Sequence, residues 1–215
     1  MTKEDIQNIR SEYQAASLSE KDANADPIKQ FDKWFNEALK AEVQEPTAMT
    51  LATATHDGRP SARIVLMKGF NDTGFVFYTN YLSRKGKEIA KNPLGSLLFF
   101  WGTLERQVRI EGTIEKVSKE ESEQYFHSRP KGSQVGAVVS PQSQEIADRD
   151  GLEEKWKETE AQFSDKEVPK PSYWGGYILK PRLIEFWQGR PNRLHDRILY
   201  KKIDNKNWKK VRLAP

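Results

Sequence analysis

The stretch AMTLATATHDGRPSARIVLMK, residues 48–68, decides the fold that the sequence predicts. Its first part, residues 48–55, is rich in threonine and small apolar residues, which is typical of a strand. The tetrapeptide His56-Asp57-Gly58-Arg59 is a hairpin turn signal, and residues 61–68 supply the partner strand. We therefore expect a sheet that begins with two antiparallel strands.

The regions on both sides of this hairpin alternate between short strands and helices. Asp26-Pro27 suits a helix start, because Asp is a good N-cap and Pro fits the first helical position. The predicted helices span residues 4–16, 26–42, 83–91, 118–128 and 148–163, and another begins near residue 133. The further predicted strands span residues 75–79, 96–101, 107–117, 173–179, 183–188, 194–202 and 208–213. Hairpin-linked strands with inserted helices favour an α+β fold, an antiparallel sheet that closes into a barrel with peripheral helices.

The composition bounds the class of protein. With 215 residues, 36% of them hydrophobic, the chain suits a single globular domain. It contains no cysteine, which excludes disulfides and thiolate metal sites and fits a reducing cytoplasm. No apolar run reaches the ~20 residues of a membrane span, and the polar N-terminus is unlike a signal peptide. We expect a cytoplasmic protein without a membrane partner.

Positive charge is concentrated at the C-terminal end. The net charge is +4, but residues 180–215 hold 11 Lys and Arg against 3 Asp and Glu, which gives this segment +8. A basic segment suits either a nucleic-acid surface or a pocket for small anions. A solvated edge is the plainer explanation for several of its lysines.

Two basic segments offer groups that bind anions. Ser83, Arg84 and Lys85 follow a strand at the start of a helix, and a helix N-terminus with a hydroxyl and two cations suits a phosphate. An ordinary N-cap beside a solvated Arg-Lys pair explains this pattern equally well. Arg63 and Lys68 are five residues apart, so a strand would place them on opposite faces, where they could serve two different anions. Taken alone, a strand with charged ends explains this pair better.

A third polar group surrounds the predicted helix end near residue 128. Tyr125 and Arg129 are four residues apart and would share one helix face, and Ser133 would lie where the next helix starts. A tyrosine hydroxyl, a guanidinium and a serine hydroxyl form a sound phosphate-binding set. Gln107 offers an amide to a ligand ring, although a polar hairpin position explains it better in isolation.

The segment from Trp187 to Arg197 carries the most telling pattern. Arg193, His195 and Arg197 alternate, so a strand would point all three side chains the same way. Three potential cations repel one another unless an anion or an electron-rich ligand lies among them. A solvated basic edge is the alternative, and the presence of Trp187 and His195 makes it less attractive.

The sequence gives poor support for a metal site, and we expect none. The three histidines, His56, His127 and His195, lie far apart in the chain, and none has a carboxylate at metal-ligand spacing. A glycine-rich P-loop and a serine nucleophile elbow are also missing.

Together these segments resemble the pyridoxine (pyridoxamine) 5′-phosphate oxidase family over nearly the whole chain. The strongest matching motifs are Phe77-Tyr-Thr-Asn80 with Ser83-Arg-Lys85, Leu104-Glu-Arg-Gln-Val108, Tyr125-Phe-His-Ser-Arg-Pro130, Trp174-Gly-Gly176, Ile184-Glu-Phe-Trp-Gln-Gly189 and Arg193-Leu-His-Asp-Arg197. Each motif is a weak signal alone, but their joint order and spacing are highly specific. Val138 stands where the family commonly has Trp, a departure that we expect to alter packing and not chemistry.

The resemblance implies a split β-barrel homodimer that holds FMN at the subunit interface, with residues 1–215 forming one domain. It implies an oxidase that converts pyridoxine or pyridoxamine 5′-phosphate into pyridoxal 5′-phosphate. Oxygen reoxidises the flavin and yields hydrogen peroxide, and the amine substrate also releases ammonia. Residues 1–25 are expected to form a helical or flexible segment that can cover the site.

The family's site residues carry over to matching positions of this chain. The flavin-binding positions are Arg63, Ile64, Val65, Leu66, Met67, Lys68, Tyr78, Thr79, Arg84, Lys85, Gln107, Gln142, Ser143, Trp187 and Arg197. The substrate-binding positions are Arg10, Ser11, Glu12, Tyr13, Lys68, Tyr125, Arg129, Ser133, Arg193, Leu194 and His195.

Arg193 and His195 match residues over the substrate ring and are the predicted catalytic pair. Our hypothesis is that hydride passes from the substrate C4′ carbon to flavin N5 while Arg193 steers the ring and its C4′ substituent. His195 is a candidate for hydrogen bonding or proton handling.

Two other functions are weighed against this one. A related split-barrel flavoprotein acting on a phenazine precursor would keep the flavin positions and lose the substrate-phosphate set. Here Lys68, Tyr125, Arg129 and Ser133 are all present, which argues against it. A nucleic-acid binder would show strongly salt-dependent binding and no flavin. Because the aromatic residues that it needs are interleaved in predicted strands, we expect no nucleic-acid partner.

Overall fold

The chain folds into antiparallel strands with helices inserted between them. The computed structural model describes residues 3–8, 12–204 and 206–215. The helices are α1 (Lys3–Asn8), α2 (Pro27–Lys40), α3 (Arg84–Lys91), α4 (Lys119–Ser128), α5 (Lys131–Val139) and α6 (Asp150–Gln162). The strands are β1 (Ala48–Ala54), β2 (Pro60–Leu66), β3 (Gly69–Asn71), β4 (Gly74–Asn80), β5 (Leu94–Trp101), β6 (Arg106–Lys116), β7 (Trp174–Gln188), β8 (Asp196–Lys202) and β9 (Trp208–Arg212).

The strands follow one hydrogen-bonded order, β2-β1-β5-β6-β7-β4-β3, with β8 paired to β7 and β9 paired to β8. The pairs β3–β4, β4–β7, β7–β8 and β8–β9 are antiparallel. The predicted α+β class with an antiparallel sheet is therefore confirmed.

The chain divides into two compact units. The terminal unit contains residues 1–50, 97–111 and 181–215, and the central unit contains residues 51–96 and 112–180. Strands β1, β5, β6 and β7 contribute residues to both. That the whole chain acts as one FMN-binding domain stays a prediction.

Helix α2 supplies much of the core of the terminal unit. It begins as predicted, because the Asp26 carboxylate accepts the Ile28 N–H at 2.8 Å. Phe31, on its apolar face, is fully buried, with its ring centroid 5.2 Å from that of Phe99 and 6.0 Å from that of Trp101. The helical spacing of the apolar residues thus explains which face packs inward.

The core of the central unit lies between β4, the first part of β7 and two helices. Phe77 of β4 is paired with Tyr177 of β7. Phe126 of α4, Val135 of α5 and Trp174 form a buried apolar cluster beside them. This cluster holds α4 and α5 in place, and both helices carry predicted site residues.

The predicted helix over residues 4–16 is wrong in its second half. α1 ends at Asn8, and residues 12–16 are not helical. Their backbone bonds to distant side chains instead, since the Ala15 N–H donates to the Glu105 carboxylate at 2.9 Å. The Leu18 N–H likewise donates to the Asp196 carboxylate at 3.0 Å. These bonds compete with the helical hydrogen bonds that the apolar spacing alone predicts.

Several predicted strand boundaries also differ from the structure. The two predicted strands over residues 173–179 and 183–188 form one strand, β7, which begins at Trp174 and also pairs with β6. Pro181 lies after the pairing with β4 has ended and before the pairing with β8 begins, so its missing N–H breaks no bond in these two ladders. β2 ends at Leu66, two residues before Lys68, and β3 was not predicted.

Candidate active site

A cavity of about 500 Å³ lies within the central unit, and we name it the central cavity. Ligand pockets typically measure about 300–1,000 Å³. The predicted flavin-binding residues that line it are Ile64, Val65, Leu66, Lys68, Tyr78, Thr79, Lys85 and Gln142. The predicted substrate-phosphate set of Lys68, Tyr125, Arg129 and Ser133 lines the same cavity. The structure therefore brings together two groups that lie far apart in the sequence.

One wall of the central cavity is a cluster of hydrogen-bonding groups around Lys85. The Lys85 Nζ lies 3.3 Å from the Thr79 Oγ1 and 3.0 Å from the Gln142 Oε1. Burial and the neighbouring charge of Arg63 lower the pKa of Lys85. A half-buried cation beside a hydroxyl and an amide is a donor set that suits an anionic group such as a phosphate.

The turn between β4 and α3 places this cluster. Ser83 caps α3, and its hydroxyl accepts the Gly86 N–H at 3.3 Å. A β-carbon on residue 86 would lie 2.2 Å from the backbone oxygen of Tyr81, so only glycine fits there. The tight turn brings Lys85, in the first turn of the helix, back to Thr79 near the end of β4.

A second wall of the central cavity contains the predicted substrate-phosphate residues. The rings of Tyr78 and Tyr125 are stacked, with centroids 3.8 Å apart. The Arg129 guanidinium lies over Trp174, 4.6 Å from the ring centroid, and its Nη2 donates to the Ser133 backbone oxygen at 2.6 Å. Stacking thus holds the guanidinium at the cavity wall.

The other terminal nitrogen of Arg129, Nη1, is buried and has no hydrogen-bond partner among the described residues. Leaving a buried donor unpaired is costly, so this atom marks a place where a ligand acceptor would be stabilised. Tyr125 and Arg129 were predicted to share a helix face, but α4 ends at Ser128 and Arg129 has an extended backbone. Both nevertheless line the cavity, because the chain turns there into α5.

The remaining flavin-binding positions of the central unit lie off this cavity. Met67 is 4% exposed and belongs to the apolar core. Arg84 and Ser143 line a second cavity of about 420 Å³ that also includes Glu88. Arg63 is next to Ile64 on β2, so the two side chains point to opposite faces of the strand, and Arg63 contacts Glu88 at 3.3 Å. The structure thus groups Arg63 and Arg84 around the carboxylate of Glu88, which the sequence analysis did not assign to the site. The spacing of four residues between Arg84 and Glu88 on a predicted helix was the signal that could have indicated this contact.

The predicted alternation of Arg193, His195 and Arg197 along one strand is wrong. Pro191–Arg193 form a 3₁₀ turn, Asn192 and Arg193 have positive φ, and β8 begins only at Asp196. Only Arg197 lies on the strand, opposite Trp187. The proline and the left-handed residues after it end the extended backbone that alternation requires.

His195 instead joins an aromatic cluster of the terminal unit. Its ring lies 4.6 Å from Trp187 and 5.9 Å from Tyr13, measured between centroids, and Tyr13 lies 5.7 Å from Trp187. The His195 Nδ1 accepts the Arg190 backbone N–H at 3.1 Å. The neutral ring therefore carries its proton on Nε2. Burial, together with the charge of Arg193, lowers the pKa of His195.

Arg197 is held by a buried carboxylate that was also not predicted. Its Nε and Nη2 donate to the two oxygens of Glu185 at 2.7 and 3.2 Å. Glu185 is 2% exposed and also contacts Arg109 at 2.5 Å. Ile184, Glu185 and Phe186 are all buried in β7, and a lone Glu in an apolar strand is the signal that could have identified Glu185.

The other predicted positions of the terminal unit show fewer contacts. Gln107 is half-buried on β6, and Leu194 is 69% exposed. Glu12 is exposed and accepts a hydrogen bond from Gln14. Arg10 and Ser11 lie outside the described residues.

Two other features, a membrane-spanning helix and a metal site, have no candidate in the part of the chain that the structure describes. Within residues 3–8, 12–204 and 206–215, no helix has the combined length and hydrophobicity of a membrane span. Over the same part of the chain, no three His, Asp or Glu side chains are grouped so that they could hold a metal ion.

Comparisons with known proteins identify the family. Residues 35–163 match the family model described as pyridoxamine 5′-phosphate oxidase, and residues 174–215 match the one described as pyridoxine 5′-phosphate oxidase C-terminal dimerisation region. A pyridoxine/pyridoxamine 5′-phosphate oxidase from Rubrobacter xylanophilus is 56% identical over 211 residues, which cover 98% of this chain and 97% of that protein. One of the same name from Salinibacter ruber is 55% identical over 212 residues, covering 98% and 99%.

Solved structures agree on the fold. PhzG from Burkholderia lata 383, in complex with tetrahydrophenazine-1-carboxylic acid, has a TM-score of 0.88 at 32% identity and covers 95% of this chain and 100% of that chain. A pyridoxamine 5′-phosphate oxidase-related, FMN binding protein from Nostoc punctiforme PCC 73102 has a TM-score of 0.69 at 16% identity, covering 88% and 97%. The predicted split-barrel fold is confirmed. With one family model matching more than half of its length and relatives above 50% identity, the chain belongs to the pyridoxamine 5′-phosphate oxidase family.

Proposed function

We propose that the protein is an FMN-dependent oxidase that converts pyridoxine and pyridoxamine 5′-phosphate into pyridoxal 5′-phosphate. Oxygen is the electron acceptor, hydrogen peroxide is formed, and the amine also releases ammonia. The central cavity carries this proposal, because two sets of phosphate-binding groups line it. One set is built around Lys85 and the other around Arg129.

The residues around Lys85 fit the flavin. Thr79, Lys85 and Gln142 offer a hydroxyl, a cation and an amide within 3.3 Å of one another. Arg63 and Arg84 add two guanidinium groups in the same unit. Bound FMN would supply a two-electron acceptor that oxygen can reoxidise. The chain binds its phosphate and orients its ring, and the apolar Ile64 and Leu66 at the cavity offer surface to that ring.

The residues around Arg129 fit the phosphate of the substrate. Its unpaired Nη1 supplies a buried donor, and Lys68, Tyr125 and Ser133 line the same cavity. A phosphate monoester carries about −1.5 to −2 charges at neutral pH, which two cations can balance. Because the phosphate is remote from the reacting C4′ carbon, its binding energy goes into orientation of the ring.

His195 and Arg193 are proposed to act on the substrate ring. A neutral His195 with its proton on Nε2 is a hydrogen-bond donor, and its acceptor Nδ1 is already occupied by the Arg190 N–H. This arrangement supports a role in orienting a polar substituent and gives less support to a role as a base. Arg193 carries the positive charge that steers the ring and its C4′ substituent.

The proposed assembly is a homodimer with FMN at the subunit interface. The match of residues 174–215 to a dimerisation region supports a homodimer. Ile64 and Leu66, which are 63% and 38% exposed beside the cavity, offer apolar surface for a partner. Residues 1–25 are proposed to cover the site, and the packing of Tyr13 against His195 supports this. The cytoplasmic location stays a prediction.

A flavoprotein acting on a phenazine precursor is the second candidate. PhzG supports it through its high TM-score, but its identity of 32% is well below the 56% and 55% of the two pyridoxine/pyridoxamine 5′-phosphate oxidases. The joint presence of Lys68, Tyr125, Arg129 and Ser133 in one cavity favours a phosphorylated substrate.

A turnover assay tests the proposed function. The protein is purified, its visible spectrum is recorded with added FMN, and pyridoxine 5′-phosphate is supplied in air. We expect a flavin spectrum and equal amounts of hydrogen peroxide and pyridoxal 5′-phosphate. A protein that binds no flavin, or that binds flavin but forms neither product, would refute the proposal.

A further inference from the structure

Glu88 is a buried carboxylate at the centre of the cationic groups of α3 and β2. It is 5% exposed. Its Oε2 accepts hydrogen bonds from the Thr53 hydroxyl at 2.5 Å and the Ser61 hydroxyl at 2.6 Å. Burial alone would raise the pKa of Glu88, but the hydrogen bonds and the nearby guanidinium groups outweigh it and lower the pKa to about 2. The carboxylate is therefore charged under all ordinary conditions.

Two arginines of the predicted flavin set converge on this carboxylate from different elements. The Arg63 Nη2, on β2, lies 3.3 Å from the Glu88 Oε2. The Arg84 Nε, on α3, lies 2.9 Å from the Glu88 Oε1. Each oxygen of Glu88 thus anchors a different guanidinium group. Without the carboxylate, two cations would face each other with nothing to hold them together.

The bonds of each arginine show which donors remain for a ligand. Both Nη atoms of Arg63 are engaged by Glu88, by the hydroxyls of Thr53 and Ser61 and by the Leu51 backbone oxygen, so this side chain has a single defined position. Arg84 is bonded to Glu88 through Nε and its side chain is 65% exposed. Among the residues that the structure describes, its two Nη groups have no hydrogen-bond partner, so they are available to an anion.

The local charge also suits a phosphate monoester. Arg63, Arg84 and Lys85 contribute three positive charges and Glu88 one negative charge. The remainder of about two positive charges matches the charge of the phosphate. Three cations without the carboxylate would exceed the charge of the phosphate and would repel one another before the ligand arrives. Burial is the first cause of the lowered pKa of Lys85, and the charge of Arg63 lowers it further, whereas the charge of Glu88 raises it.

We propose that Glu88 is a positioning residue that holds Arg63 and Arg84 beside Lys85 as a preassembled binding group for the flavin phosphate. The proposal rests on the proposed function, because it assumes that these cations bind FMN. Glu88 acts through the arginines and touches no reacting atom. Its effect is therefore confined to ligands that carry the phosphate.

A comparison of two flavins tests this role without any turnover. Protein freed of flavin is titrated with FMN and with riboflavin, which lacks the phosphate, and flavin fluorescence is followed. For Glu88→Gln we expect FMN affinity to fall about 10- to 100-fold, because the charge-assisted contacts between the buried carboxylate and the two guanidinium groups are lost, while riboflavin affinity is unchanged. Glu37→Gln is the matched control, since Glu37 also pairs with an arginine, Arg106, in the terminal unit. It should leave both affinities unchanged.

The outcomes separate this proposal from the proposed function. If the wild-type protein does not prefer FMN to riboflavin, the proposed function fails. If it does, and Glu88→Gln binds FMN as well as or better than the wild type, or loses both flavins equally, the role of Glu88 is refuted. Should Glu88→Gln fail to fold, Ser61→Ala decides, because it keeps every charge and removes the hydroxyl that donates to Glu88 and accepts from Arg63. We expect a loss of about threefold for FMN alone, and an unchanged FMN affinity would overturn the proposal.

Discussion

The backbone of Gly189 and the ring of Tyr13 are in direct contact: a β-carbon on residue 189 would lie 2.7 Å from the Cγ of Tyr13. The same ring packs against Trp187 and His195. Glycine at residue 189 is therefore what allows the N-terminal segment to reach the aromatic cluster of the terminal unit. Because the contact involves the base of the Tyr13 side chain, rotation of the ring cannot relieve it.

Gly189→Ala should displace Tyr13 and weaken substrate binding. An aromatic contact contributes about 0.5–1.5 kcal/mol, so losing the two contacts of Tyr13 predicts a rise in KM for pyridoxine 5′-phosphate of roughly tenfold. FMN affinity should stay unchanged if Tyr13 covers the substrate only. Steady-state kinetics and a flavin titration measure the two effects. Gly69→Ala is the control, because a β-carbon there would have no atom within 4 Å. An unaltered KM would show that Tyr13 does not act on the substrate.

The protonation of His195 gives a second prediction. Burial, and next the charge of Arg193, lower its pKa, so the ring should titrate below its usual value of about 6.5. The unfolded chain then binds this proton more readily than the folded one. The stability that the neutral ring contributes is therefore present above pH ~6.5 and is lost as the pH falls below that value.

An NMR titration of the histidine rings in Arg193→Gln and in the wild type checks this prediction. Removing the charge of Arg193 should raise the pKa of His195 towards its usual value. Arg182→Gln, an exposed arginine at the far end of the β7–β8 ladder, should not change it. A His195 that titrates above pH 6.5 in the wild-type protein would contradict the account.

The buried and unpaired Nη1 of Arg129 predicts a specific loss of substrate affinity. A hydrogen bond to a charged group contributes about 1.5–3 kcal/mol, so Arg129→Gln should raise KM for pyridoxine 5′-phosphate by roughly 10- to 100-fold. The affinity for FMN should change little, because the flavin phosphate is assigned to the Lys85 cluster. If Arg129→Gln weakened the binding of FMN and of the substrate equally, the assignment of Arg129 to the substrate phosphate and of the Lys85 cluster to the flavin phosphate would be wrong.

The core of the terminal unit gives a prediction on stability. Phe31 is fully buried against Phe99 and Trp101. Truncating a buried Phe typically costs 3–5 kcal/mol, so Phe31→Ala should lower the free energy of unfolding by about that amount. Leu39→Ala, on the exposed face of the same helix, should cost less than about 1 kcal/mol. Chemical denaturation followed by tryptophan fluorescence compares the two variants, and similar losses would mean that α2 does not pack as described.

Local sequence patterns predicted most of the fold. The cap at Asp26, the turn at residues 56–59 and the serine cap at Ser83 act within a few residues, so their effects are visible in the sequence. The errors arose where residues that are distant in the sequence determine the local backbone conformation. The carboxylates of Glu105 and Asp196 bind the backbone of residues 15–18, and no local pattern reports that.

The candidate site was harder to predict, because the assignment of individual residues rested mainly on the family resemblance. Strand alternation misplaced Arg193 and His195, since a proline and two residues with positive φ precede β8. The residues that hold the arginines, Glu88 and Glu185, were not assigned to the site, although each left a signal in the sequence. Their role as partners of the arginines becomes visible only when burial and contacts are known.

The transfer of electrons from substrate to flavin tests the central claim most directly. FMN-loaded protein is mixed with pyridoxine 5′-phosphate in the absence of oxygen, and the visible absorbance of the flavin is recorded, with unphosphorylated pyridoxine as the comparison. We predict that the phosphorylated substrate bleaches the flavin, that pyridoxine at the same concentration bleaches it far more slowly, and that admitting air restores the absorbance. A flavin that stays oxidised with pyridoxine 5′-phosphate, or that responds equally to both compounds, would contradict the account.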